Sequence, residues 1–426
     1  MWSSAARDAR THPRRVLFLT VHCPQPNEPG AVRPWLEACQ LSDLNCGVTV
    51  ITSAIQYMTG ADLRRGQRGW CCEEWCDGIR FLRVYGLRSY RQSVWRRTLQ
   101  YGLFAMLGFC AALIHARPRP DVILVGTDPI TISPVSWFLS ILFRARLVLD
   151  ERDLYPETAI ALGVLKPGWI SHGLSSFQQW LRRRAAFILC ATPGIRNYLI
   201  QQGVPDRKLG LLYNADPELL HTDEMPSLET LQSRLRERAP PGSQFWVIYA
   251  GGMGRAGDLD TLLEAARILG PDTGIGFILV GDGERASDYR SRATSGRLPI
   301  SFTGPLPRRE ARQLIRGAHV GVLLFPGASL FQVALPSKIF DYLGLGCPVV
   351  FLGSGDTAEV LRESGAGIQI PSGDAPELAR ALQDLSRDPG KCRTMGASGR
   401  DWFARHATGP KARAVLMHAV QMEQLQ

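Results

Sequence analysis

Trp246-Val-Ile-Tyr-Ala-Gly-Gly252-Met-Gly254-Arg255-Ala-Gly257, continued by Leu259–Leu269, sets the architecture of the chain. Trp246–Ala250 reads as a buried strand and Leu259–Leu269 as a helix, with Gly252–Gly257 between them matching G-x-G-x-x-G. A strand that runs through a glycine loop into a helix is a unit of a parallel, helix-covered sheet. Backbone N–H groups of such a loop, with the helix N-terminus behind them, suit a phosphate. A dinucleotide oxidoreductase carries the same fingerprint, and Asp282, closing the next strand about 25 residues on, would then be its ribose-binding acid. Against that reading, the match opens the second half of the chain rather than the first.

The same alternation extends in both directions. After the glycine loop, strands are expected at Phe277–Val280, Ile300–Thr303, Val320–Leu324, Val349–Leu352 and Gly367–Ile370. Before it, they are expected at Val16–Val21, Val48–Thr52, Val122–Gly126, Arg146–Asp150, Ala186–Ala191 and Lys208–Tyr213, with a helix from Arg33 to Leu44. Residues 218–243 are polar and end in Ala239-Pro-Pro-Gly242, which predicts a linker between two α/β domains. A chain of 426 residues suits two domains of roughly 200 residues each.

The net charge of +10 favours a polyanionic partner: a nucleotide, a membrane face or a nucleic acid. Basic residues do not interleave with aromatics in a stripe, so nucleic-acid binding is not expected. Ten cysteines lie scattered apart from Cys71, Cys72 and Cys76, which predicts reduced thiols and no metal site. The polar, basic start of the chain lacks the apolar core of a signal peptide, and no uninterrupted apolar run reaches about 18 residues. A cytoplasmic protein is the expectation. Gln100–His115 and Trp137–Phe143 are apolar and bordered by Arg96, Arg97, Arg117, Arg144 and Arg146, and Arg182–Arg184 adds a further basic run. Helices of that kind suit a membrane interface, or equally a core with solvated ends.

Leu335-Pro-Ser337-Lys338-Ile-Phe-Asp341-Tyr-Leu-Gly-Leu-Gly346-Cys-Pro-Val-Val350 is the most informative segment. Pro336-Ser337 starts a helix that places Lys338 and Asp341 one turn apart on one face. Lysine pairs with a diphosphate and aspartate accepts from two sugar hydroxyls, which is what a nucleoside diphosphate requires. An exposed ion pair is the plainer alternative. In the first half, Gly30 in the turn after the first strand lets backbone approach a ligand. Asp150-Glu-Arg-Asp153-Leu-Tyr-Pro-Glu157 follows a strand end, so Asp153 and Glu157 either orient an acceptor hydroxyl or form a capping and salt-bridge cluster.

These segments resemble family 4 glycosyltransferases. PSKIFDYLGLGCPVV is similar to the family's P-S-K-x-x-E-Y-x-A-x-G-x-P-V-I stretch, YAGGMGRAGDLDTLLEAA to its phosphate loop, and LLYNADPEL to its N-G-x-D run. DERDLYPETAIALGVLKPG resembles a segment of a subgroup that builds bacterial surface polysaccharides, fucosamine-type transferases among them. The resemblance implies a GT-B fold: two Rossmann-like domains with parallel sheets facing a cleft. Its parts would be a tail at 1–14, an acceptor-side domain at 15–217, a linker at 218–243, a donor domain at 244–405, and a helix at 406–426 returning to the first domain. It implies a retaining, metal-independent transfer with no cofactor, the nucleotide-sugar being substrate. The donor would be UDP-linked, the acceptor a glycan on polyprenyl diphosphate at the inner membrane surface, with the protein cytoplasmic or peripheral there. Carried over by position, Ser337 and Lys338 bind the diphosphate, Arg255 sits near it, Asp341 takes the ribose, and Gly252, Gly254 and Asp282 belong to the donor loop. Departures are Val333 and Asp341 where the family has paired glutamates, Ala215 for glycine, and missing basic residues near Gly252 and Asp258. A sugar-nucleotide epimerase on the same fold and a non-catalytic nucleotide binder share these features.

Overall fold

The computed structural model of the protein describes residues 13–421 except 26–27, 29, 31, 58, 65, 89, 91–92, 162–164, 223–224, 255–256 and 326–331. Two compact units emerge. The first gathers the described residues up to Cys190, Tyr198–Leu211, and those from Arg413 onward; the second takes Ala191–Asn197 and Leu212–Ala412.

The first unit holds eight strands: β1 (Arg15–Leu19), β2 (Gly47–Ser53), β3 (Cys71–Cys76), β4 (Ile79–Val84), β5 (Val122–Gly126), β6 (Arg146–Glu151), β7 (Phe187–Cys190) and β8 (Leu209–Leu211). Their order is β3-β4-β2-β1-β5-β6-β7-β8, and all pairs are parallel except β3 with β4. Residues such as Phe18, Ile51, Ile123 and Leu149 are buried because helices cover both faces of a parallel sheet. The β3–β4 hairpin, absent from the sequence reading, turns on Asp77 and Gly78, which both have positive φ (51° and 77°). An Asp-Gly pair in that conformation is the signal that identifies the hairpin. The Cys71–Cys76 cluster is thus an edge strand, and its thiols are free.

The second unit holds β9 (Phe245–Ala250), β10 (Ile275–Val280), β11 (Ile300–Gly304), β12 (Val320–Leu324), β13 (Val349–Leu352) and β14 (Gly367–Ile370). Their order is β11-β10-β9-β12-β13-β14, all parallel. Strand order reverses between β9 and β12 here and between β1 and β5 in the first unit, and ligands of open α/β sheets bind at such a switch point.

Residues 218–243 are not simply a linker: Leu228–Arg238 is a helix that buries Leu231 and Leu235 against the second unit's core. Its two leucines one turn apart were hidden by surrounding charge. Helix Val94–His115 has a Ser93 cap accepting from the Arg96 N–H. Among the described residues its Trp95–His115 stretch is long and apolar enough to cross a membrane by length and composition. Thr98, Gln100 and Tyr101 interrupt the run without ending the helix, so no uninterrupted apolar stretch marks it. Trp95, Leu99 and Met106 are exposed along it, as are Phe138, Ile141 and Leu142 on helix Ile132–Phe143 and Trp169 and Ile170 on helix Trp169–Arg184. These helices are neighbours, and Trp137 meets Trp180 at 5.0 Å. Two arginines expected at this surface lie elsewhere. Arg182 is fully buried in a bidentate pair with Glu151 (3.0 and 3.1 Å), and Arg146 is a strand residue whose guanidinium is partly desolvated.

Candidate functional site

In the second unit, helix Ser337–Gly344 lies across the carboxyl end of β9. The Tyr342 hydroxyl accepts from the Ala250 N–H at 3.1 Å and donates to the Ile248 carbonyl at 3.4 Å. The Tyr249 hydroxyl donates to the Gly252 carbonyl at 2.8 Å, and burial pushes it up to about 12, so it stays a donor. Gly281 closes the floor, because a Cβ there would lie 2.0 Å from the Gly251 carbonyl oxygen. Tyr342 thereby holds the end of β9 that leads into the glycine loop, and Tyr249 holds the start of the loop at Gly252.

Lys338 reaches this loop. Its ammonium stands 5.4 Å from the centre of the Tyr249 ring, and a Cβ at Gly251 would lie 1.6 Å from its Nζ. Gly251 is therefore a site residue that the G-x-G-x-x-G reading passed over: it must lack a side chain for Lys338 to occupy its place. Burial pushes the lysine down from its ordinary value while the Asp341 charge acts against that. Among the described residues Lys338 has no hydrogen-bond or ion-pair partner. Among the described residues a side chain at Gly252 or Gly254 would meet nothing within 4 Å, so the loop is open at these two positions. The arrangement can take a phosphate, with one localised cation and free backbone beside it.

Asp341, one turn on, is not an isolated acceptor. Arg312 Nε donates to its Oδ1 at 3.3 Å, and Arg312 Nη2 donates to Asp216 Oδ2 at 2.5 Å. Arg308 stands 3.6 Å from the same Asp216 oxygen. Burial pushes the Asp341 carboxyl up, and Arg312 and Arg308 oppose it. Ser337 is exposed at the start of the helix. Asp282 is exposed and accepts from the Gly283 N–H at 2.9 Å. Asp258 and Asp260, an Asp-x-Asp pair, are engaged within the fold: Asp258 caps helix Leu259–Leu269 through Thr261, and Asp260 pairs with Arg285 and Arg292. Arg255 lies outside the described residues.

In the first unit, Gly30 has φ +140°, and a Cβ there would meet Pro24 at 3.4 Å. Glu157 accepts from Arg182 Nη1 at 3.3 Å and from the Tyr198 hydroxyl at 3.2 Å, which is the salt-bridge alternative of the sequence reading. Asp153 lies at the surface, its carboxyl pushed up by desolvation and by Asp128. Beside them sits a cluster that the sequence did not single out. Arg33 pairs with Glu37 at 2.8 Å and with Asp150 at 2.7 Å, and Arg152 pairs with Asp150 at 2.5 Å. Arg33, Glu37 and Asp150 are buried.

Two family descriptions match the chain in succession: a glycosyl transferase 4-like domain over residues 30–215 and glycosyl transferases group 1 over residues 244–388. A probable glycosyltransferase of Pseudomonas aeruginosa, WbjE, is 23% identical over 303 residues, which is 68% of this chain and 72% of that protein. Anabaena HepE, crystallised with UDP-glucose, superposes with a TM-score of 0.64 at 16% identity, covering 95% of this chain and 98% of that one. Sucrose-phosphate synthase of Thermosynechococcus elongatus gives 0.66 at 16% identity, covering 96% of each chain. With these matches and its two parallel α/β units, the chain belongs to the group 1, family-4-like glycosyltransferases of GT-B fold.

Proposed function

We propose that the protein transfers an N-acetylated amino sugar, with retention, from a UDP-linked donor to a polyprenyl-diphosphate-linked glycan in bacterial surface-polysaccharide synthesis. The observation that carries the donor half is the Lys338 ammonium seated in the place of a Gly251 side chain, beside loop positions that are open among the described residues. A cation fixed there stabilises charge developing on a leaving diphosphate, and the desolvated setting strengthens it. The leaving phosphate itself takes the acceptor's proton, so no side-chain nucleophile is required, and the cation does the work of a metal ion. That a neighbour of the same fold was crystallised with UDP-glucose supports a UDP donor. The acceptor half rests on the apolar, arginine-bordered helices of the first unit, which suit a peripheral position on the inner membrane.

A thermal-shift panel tests the reading. UDP and UDP-sugars should raise the melting temperature of the wild-type protein; a ligand at a hundred times its dissociation constant contributes about 2.7 kcal/mol. Lys338→Ala should lose most of that shift, keep its ligand-free melting temperature, and turn over about a hundredfold more slowly. Stabilisation by NAD and by no nucleoside diphosphate would sink the proposal.

A further inference from the structure

We propose that Arg312 is a positioning residue which divides the Asp341 carboxylate, so that the site reads one ribose hydroxyl of the donor rather than the pair. The inference rests on the nucleoside-diphosphate reading above and adds its selectivity.

Arg308 and Arg312 stand one turn apart on helix Arg308–Gly317, and Arg312 is buried. Its guanidinium donates in two directions, Nε to Asp341 Oδ1 and Nη2 to Asp216 Oδ2. Asp216 is itself fixed, because its Oδ1 accepts from the Glu218 N–H at 3.1 Å and caps the turn Pro217–Leu220. The guanidinium fork is rigid and planar, so anchoring one edge on Asp216 sets the direction of the other. Asp341 Oδ1 is thus committed to Arg312. Among the described residues Asp341 Oδ2 has no hydrogen-bond partner, and it is the oxygen left to accept from a ligand.

An unconstrained carboxylate can accept from two neighbouring hydroxyls, one on each oxygen. Here one oxygen is occupied, and aspartate, a methylene shorter than glutamate, has less freedom to rotate the pair. A hydroxyl on Oδ2 meets a carboxylate oxygen with no other donor among the described residues, whereas one on Oδ1 finds a remaining lone pair whose charge is already shared with Arg312 and makes a weaker bond. Loss of the first hydroxyl is then costly and loss of the second is not.

The test compares UDP, GDP and ADP with their 2′-deoxy and 3′-deoxy forms by calorimetric titration. For the nucleotide that binds the wild-type protein, removing one hydroxyl should weaken binding about tenfold and removing the other should change it little. Arg312→Gln should weaken the ribonucleotide and bring the two deoxy forms together, since Oδ1 becomes available again. The wild-type comparison stands even where that variant fails to fold. Equal losses for both deoxy forms, or no loss for either, would overturn the division of the carboxylate while leaving the donor reading intact. Failure of all three ribonucleotides to bind would overturn both.

Discussion

A hydrogen atom in place of a methyl group decides the position of Lys338, since any side chain at residue 251 would collide with its ammonium. Gly251→Ala therefore displaces the lysine while leaving residue 338 unchanged. The other residue with consequences of this kind is Glu37, 2% exposed on helix Arg33–Asp43. Burial first, then the Asp150 charge, pushes its carboxyl up to about 7 against the pull of Arg33 and Arg152. An unfolded glutamate ionises near pH 4.3, so between that pH and about 7 folding takes up a proton at this site. The sign follows: the contribution of protonated Glu37 is complete below the unfolded value and is lost as pH rises through about 7. Glu37→Gln keeps the neutral form at every pH. In urea titrations it should match the wild-type protein at pH 4 and exceed its stability at pH 8 by on the order of 3 kcal/mol. Identical pH profiles for the two proteins would show that Glu37 is ionised throughout.

Helices carry the membrane half of the proposal. Along Val94–His115, Trp95, Leu99, Gly102, Met106 and Leu113 recur at spacings of three, four or seven, which places them on one stripe. Trp95 at 76% and Met106 at 56% exposure show that this stripe faces outward rather than into the core. Vesicle co-sedimentation should recover more protein on anionic than on neutral lipid. The preference should fade at 1 M salt, where screening shortens to about 3 Å. Each arginine near the surface contributes about 1 kcal/mol. Placing glutamate at Leu99 and Met106 together should abolish recovery. Equal recovery on both lipids, or on neither, would leave a soluble acceptor as the substrate. At this scale two-sided burial is legible in the sequence: the strands at Val122–Gly126 and Val349–Leu352 have the limits expected of uniform apolar runs. One-sided burial is harder to see. The hairpin Cys71–Val84 and the helix Leu228–Arg238 mix charge with their buried residues, and only the Asp-Gly turn and the paired leucines betray them.

The whole chain carries a net charge of +10, which suits anionic ligands. If its own cations stabilise the leaving diphosphate, EDTA should leave turnover unchanged; a loss of activity restored by magnesium would refute a metal-independent transfer. Architecture was legible from the strand–glycine loop–helix unit because that unit is local. The partnership of Lys338 with Gly251 was not, since 87 residues separate them along the chain. Nor was Arg312 between Asp216 and Asp341, because such pairings depend on which strands become neighbours.

The first unit takes its last piece from beyond Arg413, where His418 packs on Phe187 at 5.1 Å and Val415 sits in the space left by Gly210. A ribosome delivers those residues only after the whole second unit has been synthesised. The surface around Phe187 and Gly210 must therefore wait uncovered through some two hundred residues of elongation. Cleavage between Leu212 and Ala412 during synthesis would part the first unit from this last piece.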